Sequence, residues 1–345
     1  MPQTVRMGII GAGNFTRSRM LPNFISLPDV ELVAVANRSL KSAEYVAADY
    51  GITTALADWK QLLARVDVDA VLVGTQPSAH HEIVLAALRA GKHVLCQTRL
   101  ASSLQQARQM YQTAQDTGRK TMLVRASAYS RTHRYVKHLL TTGYVGKVRQ
   151  VFAYYFVPNY VDSSSPLHRR QDHRNFGVIN PMALGIYWDA LRPWFGDPQR
   201  VLASSDIFTP ERSDGLNSPQ LAIELPDAIT VIAQMEGGVV VTCIQSGVAH
   251  FGQERIEIYG EEGTLICSPQ GDLIGAQRGD EALGPLTVPE EYLAFWHVEE
   301  DFVRLIRGEI TEGDLTFYDG VKNVEYLEAS HLSSVEGRWV ELPLP

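Results

Sequence analysis

Cysteine is scarce in this sequence, with 3 residues among 345. Cys96, Cys243 and Cys267 are odd in number and form no CxxC or Cys/His cluster, which argues against a disulfide framework and a structural zinc site. All three read as small, buried side chains, and no metal is expected. Long apolar runs are missing as well, since nothing approaches the ~20 residues that span a bilayer. The opening MPQTVRMGIIGAG carries no apolar core of a signal peptide. The protein is therefore expected in the cytoplasm, without a membrane partner. Positive charge is in deficit, the formal net charge being -8. Nucleic acids and anionic membranes attract basic surfaces, so neither is an expected partner and a small molecule is. No repeat, low-complexity tract or linker marks a third domain.

What the chain does have is alternation. In its first third, short β-branched runs alternate with helical patterns, the signature of parallel βαβ units. Residues 5–10 read as a buried strand, followed by a helix from about Thr16 and a second strand over 31–36. Ser39 caps a helix over 40–51 that Gly51 ends. A third strand over 69–74, a helix over 80–92 closed by Gly91 and a fourth strand over 93–96 continue the pattern. Ser102 or Ser103 caps a helix over 104–118, and a fifth strand covers 120–124. The expected fold class is α/β, with a doubly wound parallel Rossmann sheet over residues 1–124 that binds ligands at the C-terminal ends of its strands. Residues 125–345 change texture to longer alternating segments, such as 148–156, 228–235, 238–244 and 255–259. These predict an α+β second domain with a mostly antiparallel sheet covered on one face. The loop 158–176, rich in Ser, His, Arg and Asp, is the kind of long polar insertion that is functional or disordered.

Strand, then Gly11-Ala12-Gly13-Asn14-Phe15-Thr16, then helix is a G-x-G-x-x-G fingerprint with Thr at the third glycine position. The first glycine permits the tight turn, and the second lets the backbone approach a pyrophosphate whose charge the helix N-terminus holds. Gly11, Gly13, Asn14 and Phe15 are therefore candidate cofactor contacts. Where an acidic residue after the second strand would bond the ribose 2′-hydroxyl of NAD, the chain has Asn37-Arg38-Ser39. No carboxylate repels a 2′-phosphate there, Arg38 can pair with one, and Ser39 can donate a hydrogen bond. On that ground NADP(H) is favoured over NAD(H). Arg38 also reads as a solvated charge, and Ser39 as a helix cap only.

The stretches GIIGAGNF, VGTQPSAHHEIVLAALRAGKHVLC followed by LA, TGYVGKV, IEIYGEEGTL, DFVRLIRGE, FYDG and EGRWVELP run through nearly the whole chain. In them the sequence resembles the family of glucose-fructose oxidoreductase, inositol dehydrogenase and MocA. The resemblance implies a Rossmann domain, then a C-terminal domain whose large open sheet forms a homo-oligomer interface. It also implies NAD(P)-dependent hydride transfer on sugars, polyols and similar alcohols. Thr75, Gln76, Pro77 and His80 fall where the family approaches the nicotinamide end of the cofactor, and Gln97 joins these contacts. The family's Glu-Lys-Pro, whose lysine helps handle the substrate hydroxyl proton, is Gln97-Thr98-Arg99 in this chain. Its aspartate and histidine, aligned on Gly185-Ile186, fall on Ala183 and Tyr187. All the usual catalytic side chains are replaced.

Hydride transfer at a carbinol carbon needs a group that takes or gives the hydroxyl proton. Thr98 cannot. Arg99 stays charged and is no base, but it can clamp a carboxylate or polarise a carbonyl oxygen; it equally fits an internal ion pair. Tyr187 is the substitute candidate, a phenol whose pKa a cation such as Arg99 would lower. It also fits as a core aromatic on the amphipathic segment 182–195. His80 can relay protons or cap the following helix. Tyr187, Arg99 and His80 are thus the catalytic candidates, and Arg99, Asn180, Asp189 and His173 the substrate contacts. In the run His168-Arg169-Arg170-Gln171-Asp172-His173-Arg174, the arginines and Gln171 cannot be bases, so it reads as an anionic-substrate clamp or as a solvated loop. The expected activity is NADP(H)-preferring oxidation or reduction of a carbohydrate-like small molecule: a sugar, polyol or sugar acid. The alternatives are a lyase or hydrolase that oxidises a sugar carbon transiently with tightly bound nicotinamide, and a non-catalytic nucleotide-binding sensor.

Overall fold

The computed structural model describes residues 4–124, 131–168, 170–177, 182–213, 215, 218–293 and 295–345. The chain divides into two compact units, residues 1–125 with 297–324 and residues 126–296 with 325–345.

The first unit carries strands β1 (Val5–Ile10), β2 (Val30–Ala36), β3 (Thr54–Leu56), β4 (Ala70–Val73), β5 (His93–Gln97) and β6 (Thr121–Val124). They pair in parallel in the order β3-β2-β1-β4-β5-β6. Helices α1 (Leu21–Ser26), α2 (Leu40–Tyr50), α3 (Trp59–Leu63), α4 (Pro77–Arg89) and α5 (Leu104–Thr117) alternate with them. β4 is buried throughout and β1 nearly so, as strands covered on both faces must be. Ser39 caps α2, its Oγ accepting from the Ser42 amide at 3.3 Å, and Gly51 ends that helix at φ +67°. Ser103 caps α5 in the same way, at 3.3 Å from the Gln106 amide. Each such cap is worth about 1 kcal/mol. The sheet order reverses between β1 and β4, and the crevice at their C-terminal ends is where α/β sheets bind ligands.

This sheet has one strand more than the sequence pattern predicts. β3 is three half-buried residues, too short to register as a periodic run. The helix expected from Thr16 is also irregular, because Thr16–Met20 form a π turn before α1.

The second unit holds α6 (His133–Thr141), β7 (Val148–Phe156), the single turn α7 (His173–Phe176), α8 (Leu184–Phe195) and β8 (Pro198–Asp206). β9 (Glu211–Ser213), β10 (Gln220–Ala222), β11 (Ala228–Met235), β12 (Val240–Ser246) and β13 (Glu254–Gly260) follow. The last of this run are β14 (Gly263–Cys267), β15 (Leu273–Gln277) and β16 (Gly284–Pro285). After α9 (Val298–Arg307) and α10 (Phe317–Glu336), β17 (Val340–Glu341) completes a nine-stranded sheet ordered β16-β15-β14-β13-β7-β12-β11-β8-β17. The β7–β12 pair is parallel and the other neighbours are antiparallel. On one face Val151, Ala153, Ile229, Val231, Val241 and Cys243 are buried. α8 and α10 belong to that side: Trp188 stacks on Tyr326 at 4.0 Å, and the Tyr326 hydroxyl points to Cys243 Sγ at 3.7 Å. Truncating Trp188 to Ala would cost about 3–5 kcal/mol. The opposite face leaves Phe152, Tyr154, Ile232 and Ile244 half-buried.

Residues 297–324 fold with the first unit, through buried Phe302 and Leu305 of α9 and a main-chain bond from Leu123 N to Leu315 O at 2.8 Å. A single break after residue 124 does not describe this returning segment. The three cysteines are buried and free. Among the described residues no helix is long and apolar enough to cross a membrane, and no cluster of His, Cys, Asp and Glu could hold a metal ion.

Candidate functional site

Gly11 follows β1 at φ +86°, a backbone conformation that other residues rarely adopt. A Cβ on it would stand 2.8 Å from the Thr75 nitrogen, so the turn lies directly against the end of β4. Gly74 makes the reciprocal approach, since its Cβ would lie 2.5 Å from the Gly11 carbonyl oxygen and 2.6 Å from Thr16 Oγ1. β1 and β4 therefore meet backbone to backbone at the switch point. Gly74 is a requirement the sequence motif does not reveal. Thr16, at the third glycine position, is fully buried; its Oγ1 donates to Gly11 O at 3.4 Å and accepts from Gln97 Nε2 at 3.0 Å. Its hydroxyl fastens the turn to β5.

Gly13 serves differently, because a Cβ there would meet nothing within 4 Å. Gly13, Asn14 and Phe15 are exposed at the start of the helix. This bare main chain at a helix N-terminus leaves open space of the kind that receives a pyrophosphate, and a side chain at position 13 would project into it. The residues present thus fit a dinucleotide. At the end of β2, Asn37 Oδ1 accepts from Ala12 N at 2.8 Å, and Nδ2 donates to Ser42 O at 3.2 Å and Ser42 Oγ at 3.1 Å. An uncharged amide braces the glycine turn against α2 where a carboxylate would select against a 2′-phosphate. Arg38 beside it is exposed, and Ser39 is engaged as the cap of α2 while its hydroxyl proton stays available.

His80 and Arg99 come together within the first unit. His80 is fully buried on α4, with Nδ1 at 2.9 Å from Arg99 O and 3.3 Å from Leu100 O, and Nε2 at 3.0 Å from Thr75 O. Burial, aided by the Arg99 charge, holds its pKa below the usual histidine value against the pull of those carbonyls. Buried in this way, His80 ties the 75–77 turn to the segment after β5. Gln76 stands at the N-cap of α4, and Pro77 occupies the first helical turn, where a missing N–H costs nothing.

In the second unit, Tyr187 is 2% exposed on α8. Its hydroxyl donates to Tyr154 O at 3.1 Å and to Glu254 Oε2 at 3.4 Å, and its ring meets Tyr155 edge-on at 5.7 Å. This geometry is that of a core aromatic with a committed hydroxyl. Asp189 on the same helix is 7% exposed, and Asn180 lies outside the described residues. His173 Nδ1 is 3.2 Å from Glu224 Oε2. Arg174 grips Asp172 through Nε at 2.7 Å and a terminal nitrogen at 2.9 Å.

The polar loop is pinned from below. Buried Arg212 donates to Tyr160 O and Asp162 O, each at 2.7 Å. Buried Asp227 accepts from Gln171 Nε2 at 2.7 Å, Phe208 N at 2.8 Å and Thr209 N at 2.9 Å. Arg212 thus serves carbonyls, Arg174 serves a carboxylate, and Arg170 lies near the Tyr155 phenol. Among the described residues of this loop, Arg174 is thus committed to a carboxylate, whereas a neutral phenol does not offset the charge of Arg170. Sequence reasoning passed over Tyr155 and Asp227, because nothing local marks them.

A doubly wound nucleotide-binding sheet with an open glycine cradle, followed by a large mostly antiparallel sheet, defines a two-unit dinucleotide-binding protein. Residues 5–124 match the oxidoreductase family with an NAD-binding Rossmann fold, and residues 133–266 match the GFO/IDH/MocA C-terminal domain. The chain belongs to the GFO/IDH/MocA family of oxidoreductases, and its cofactor is a nicotinamide dinucleotide. It is 29% identical over 270 residues to dTDP-3,4-didehydro-2,6-dideoxy-alpha-D-glucose 3-reductase of Saccharopolyspora spinosa, which spans 77% of this chain and 75% of that protein. It is 26% identical over 291 residues to levoglucosan dehydrogenase of Pseudarthrobacter phenanthrenivorans, across 76% of this chain and 73% of the relative. A solved structure of levoglucosan dehydrogenase in complex with NADH and L-sorbose matches with a TM-score of 0.86 at 23% identity, covering 100% of each chain. That likeness concerns the fold.

Proposed function

We propose that this protein transfers hydride between NADP(H), preferred over NAD(H), and a carbon of a sugar or polyol derivative. The reading is carried by the cradle at Gly13 standing next to an uncharged Asn37 and an exposed Arg38. Bound nicotinamide supplies or accepts the hydride. The chain's own residues hold and orient. The main chain at Gly13, Asn14 and Phe15 receives the pyrophosphate, Arg38 and Ser39 meet the 2′-phosphate, and the 75–77 turn fixed by His80 with Gln97 lines the crevice between β1 and β4. Relatives named for sugar chemistry support the substrate class.

Thr98, Ala183 and the buried Tyr187 stand where the family resemblance implies proton-handling groups. This favours, as a second reading, a closed redox cycle in which tightly bound nicotinamide oxidises a sugar carbon only transiently. Nicotinamide absorbance followed with purified protein and a panel of sugars and polyols separates the two. A steady change supports net hydride transfer. An elimination or hydrolysis product without net change supports the closed cycle, and neither result removes both. The half-buried sheet face of Phe152, Tyr154, Ile232 and Ile244 suits pairing with a second copy of the chain. Light scattering that reads a monomer would refute that assignment.

A further inference from the structure

β7, β8 and β12 finish at one end of the nine-stranded sheet, where β11 and β13 begin. There, on the helix-covered face, polar side chains replace apolar ones. Gln245 stands in register with Tyr155 of β7 and Ile229 of β11, and Glu254 pairs with Tyr155 from the other side. Gln245 is 1% exposed; its Oε1 accepts from the Ala183 amide at 3.1 Å, and its Nε2 has no partner. Gln171, 2% exposed, is its complement: Nε2 donates to Asp227 at 2.7 Å and Oε1 has no partner. Asp227 belongs to the same end of the sheet, where its carbonyl accepts from Gly247 N at 2.7 Å. Neither amide can be flipped, because Ala183 N–H needs an acceptor and the Asp227 carboxylate needs a donor. The orphan groups are therefore one NH2, with two donor hydrogens, and one carbonyl oxygen. Half-buried Tyr155, in register beside Gln245, adds a phenol hydroxyl with the charge of Arg170 near it.

Buried amides are rarely left unpaired unless a water, an ion or a ligand completes them, and two complementary orphans at one end of a sheet suit a ligand hydroxyl. We propose that Gln245, Gln171 and Tyr155 form the substrate-hydroxyl site of the second unit, and that it takes a neutral polyol in preference to a sugar acid. This inference rests on the oxidoreductase reading above. A hydroxyl both donates and accepts, so one ligand class satisfies both orphans. A carboxylate only accepts, and it would face the Gln171 oxygen together with two negative charges, Asp227 and Glu254, against the single positive charge of Arg170.

The test is binding of levoglucosan, L-sorbose and D-glucuronate to the NADPH-loaded protein, measured by calorimetry for wild type, Gln245→Met and Tyr155→Phe. At least one neutral sugar should bind more tightly than glucuronate. Each variant should weaken it about tenfold or more, while NADPH affinity stays unchanged. Gln245→Met also strips the Ala183 amide of its acceptor and lowers the melting point; Tyr155→Phe carries the test if that variant fails to fold. Failure of both neutral sugars to bind, tighter binding of glucuronate, or variants that bind as wild type would overturn the proposal. Sugar binding that weakens as expected without any hydride transfer keeps this site and sinks the proposed activity alone.

Discussion

Gly74 and Gly13 separate what the crevice needs for folding from what it needs for the cofactor. In Gly74→Ala the new methyl would sit 2.5 Å from Gly11 O and 2.6 Å from Thr16 Oγ1. An ordinary carbon contact is about 3.5 Å, and a main-chain carbonyl cannot rotate away. Overpacking of this kind costs about 1–3 kcal/mol, or several degrees of melting temperature at roughly 2–4 °C per kcal/mol. In Gly13→Ala the methyl meets nothing within 4 Å, so folding should be unaffected. The same methyl would project into the proposed pyrophosphate cradle, and the melting-point rise on adding NADPH should shrink or vanish. At a hundredfold excess over Kd that rise reflects about 2.7 kcal/mol, which thermal melts resolve readily. A Gly13→Ala protein stabilised by NADPH as strongly as wild type would refute the placement of the cradle. A Gly74→Ala protein as stable as wild type would refute the close contact of β1 with β4.

Arg38→Ala should weaken NADPH about tenfold to a hundredfold and leave NADH unchanged, since a charge-assisted phosphate bond is worth about 1.5–3 kcal/mol. Equal loss for both cofactors in fluorescence titrations would remove the 2′-phosphate assignment. Burial lowers the His80 and His93 pKa values in the folded chain, whereas both titrate near about 6.5 when unfolded. The unfolded state then binds more protons, so this stability is complete above about pH 6.5 and declines as the pH falls toward the folded values. Urea midpoints that stay flat or rise from about pH 7.5 to 5.5 would contradict it. Tyr187→Phe removes a hydroxyl bonded to Tyr154 O and Glu254, which should cost about 1–2 kcal/mol with kcat within a few-fold of wild type. A loss of about a hundredfold in kcat with the fold intact would return Tyr187 to the chemistry.

The nucleotide-binding unit is legible in the sequence because its rules are local. Continuous apolar strands, Ser39 and Ser103 as caps, and the glycines of the turn each announce themselves within a few residues. β3 is too short to do so, and the return of 297–324 to the first unit depends on contacts made by residues distant in sequence. The site divides along the same line. Gly11, Gly13 and Asn37 follow from the fingerprint, whereas Gly74 matters only because two strand ends collide in space. His80 is visible as a histidine after a strand, but not as a ring held between carbonyls 5 and 19 residues away. Gln171 and Asp227 are 56 residues apart, and the Tyr155–Gln245 pairing exists only in the register of the sheet. Tyr187 points the other way: alignment with the family's histidine suggests chemistry, and its partners give it a core environment.

Deuterium transfer tests the central claim most directly. The protein is incubated with NADPH deuterated at the reactive ring carbon and the oxidised form of a sugar or polyol that it binds, and the product is examined by mass spectrometry. The account predicts one deuterium on the carbinol carbon of the product, with matching loss of NADPH. A bound sugar that never acquires the label from NADPH, and a nicotinamide pool that never changes, would contradict it.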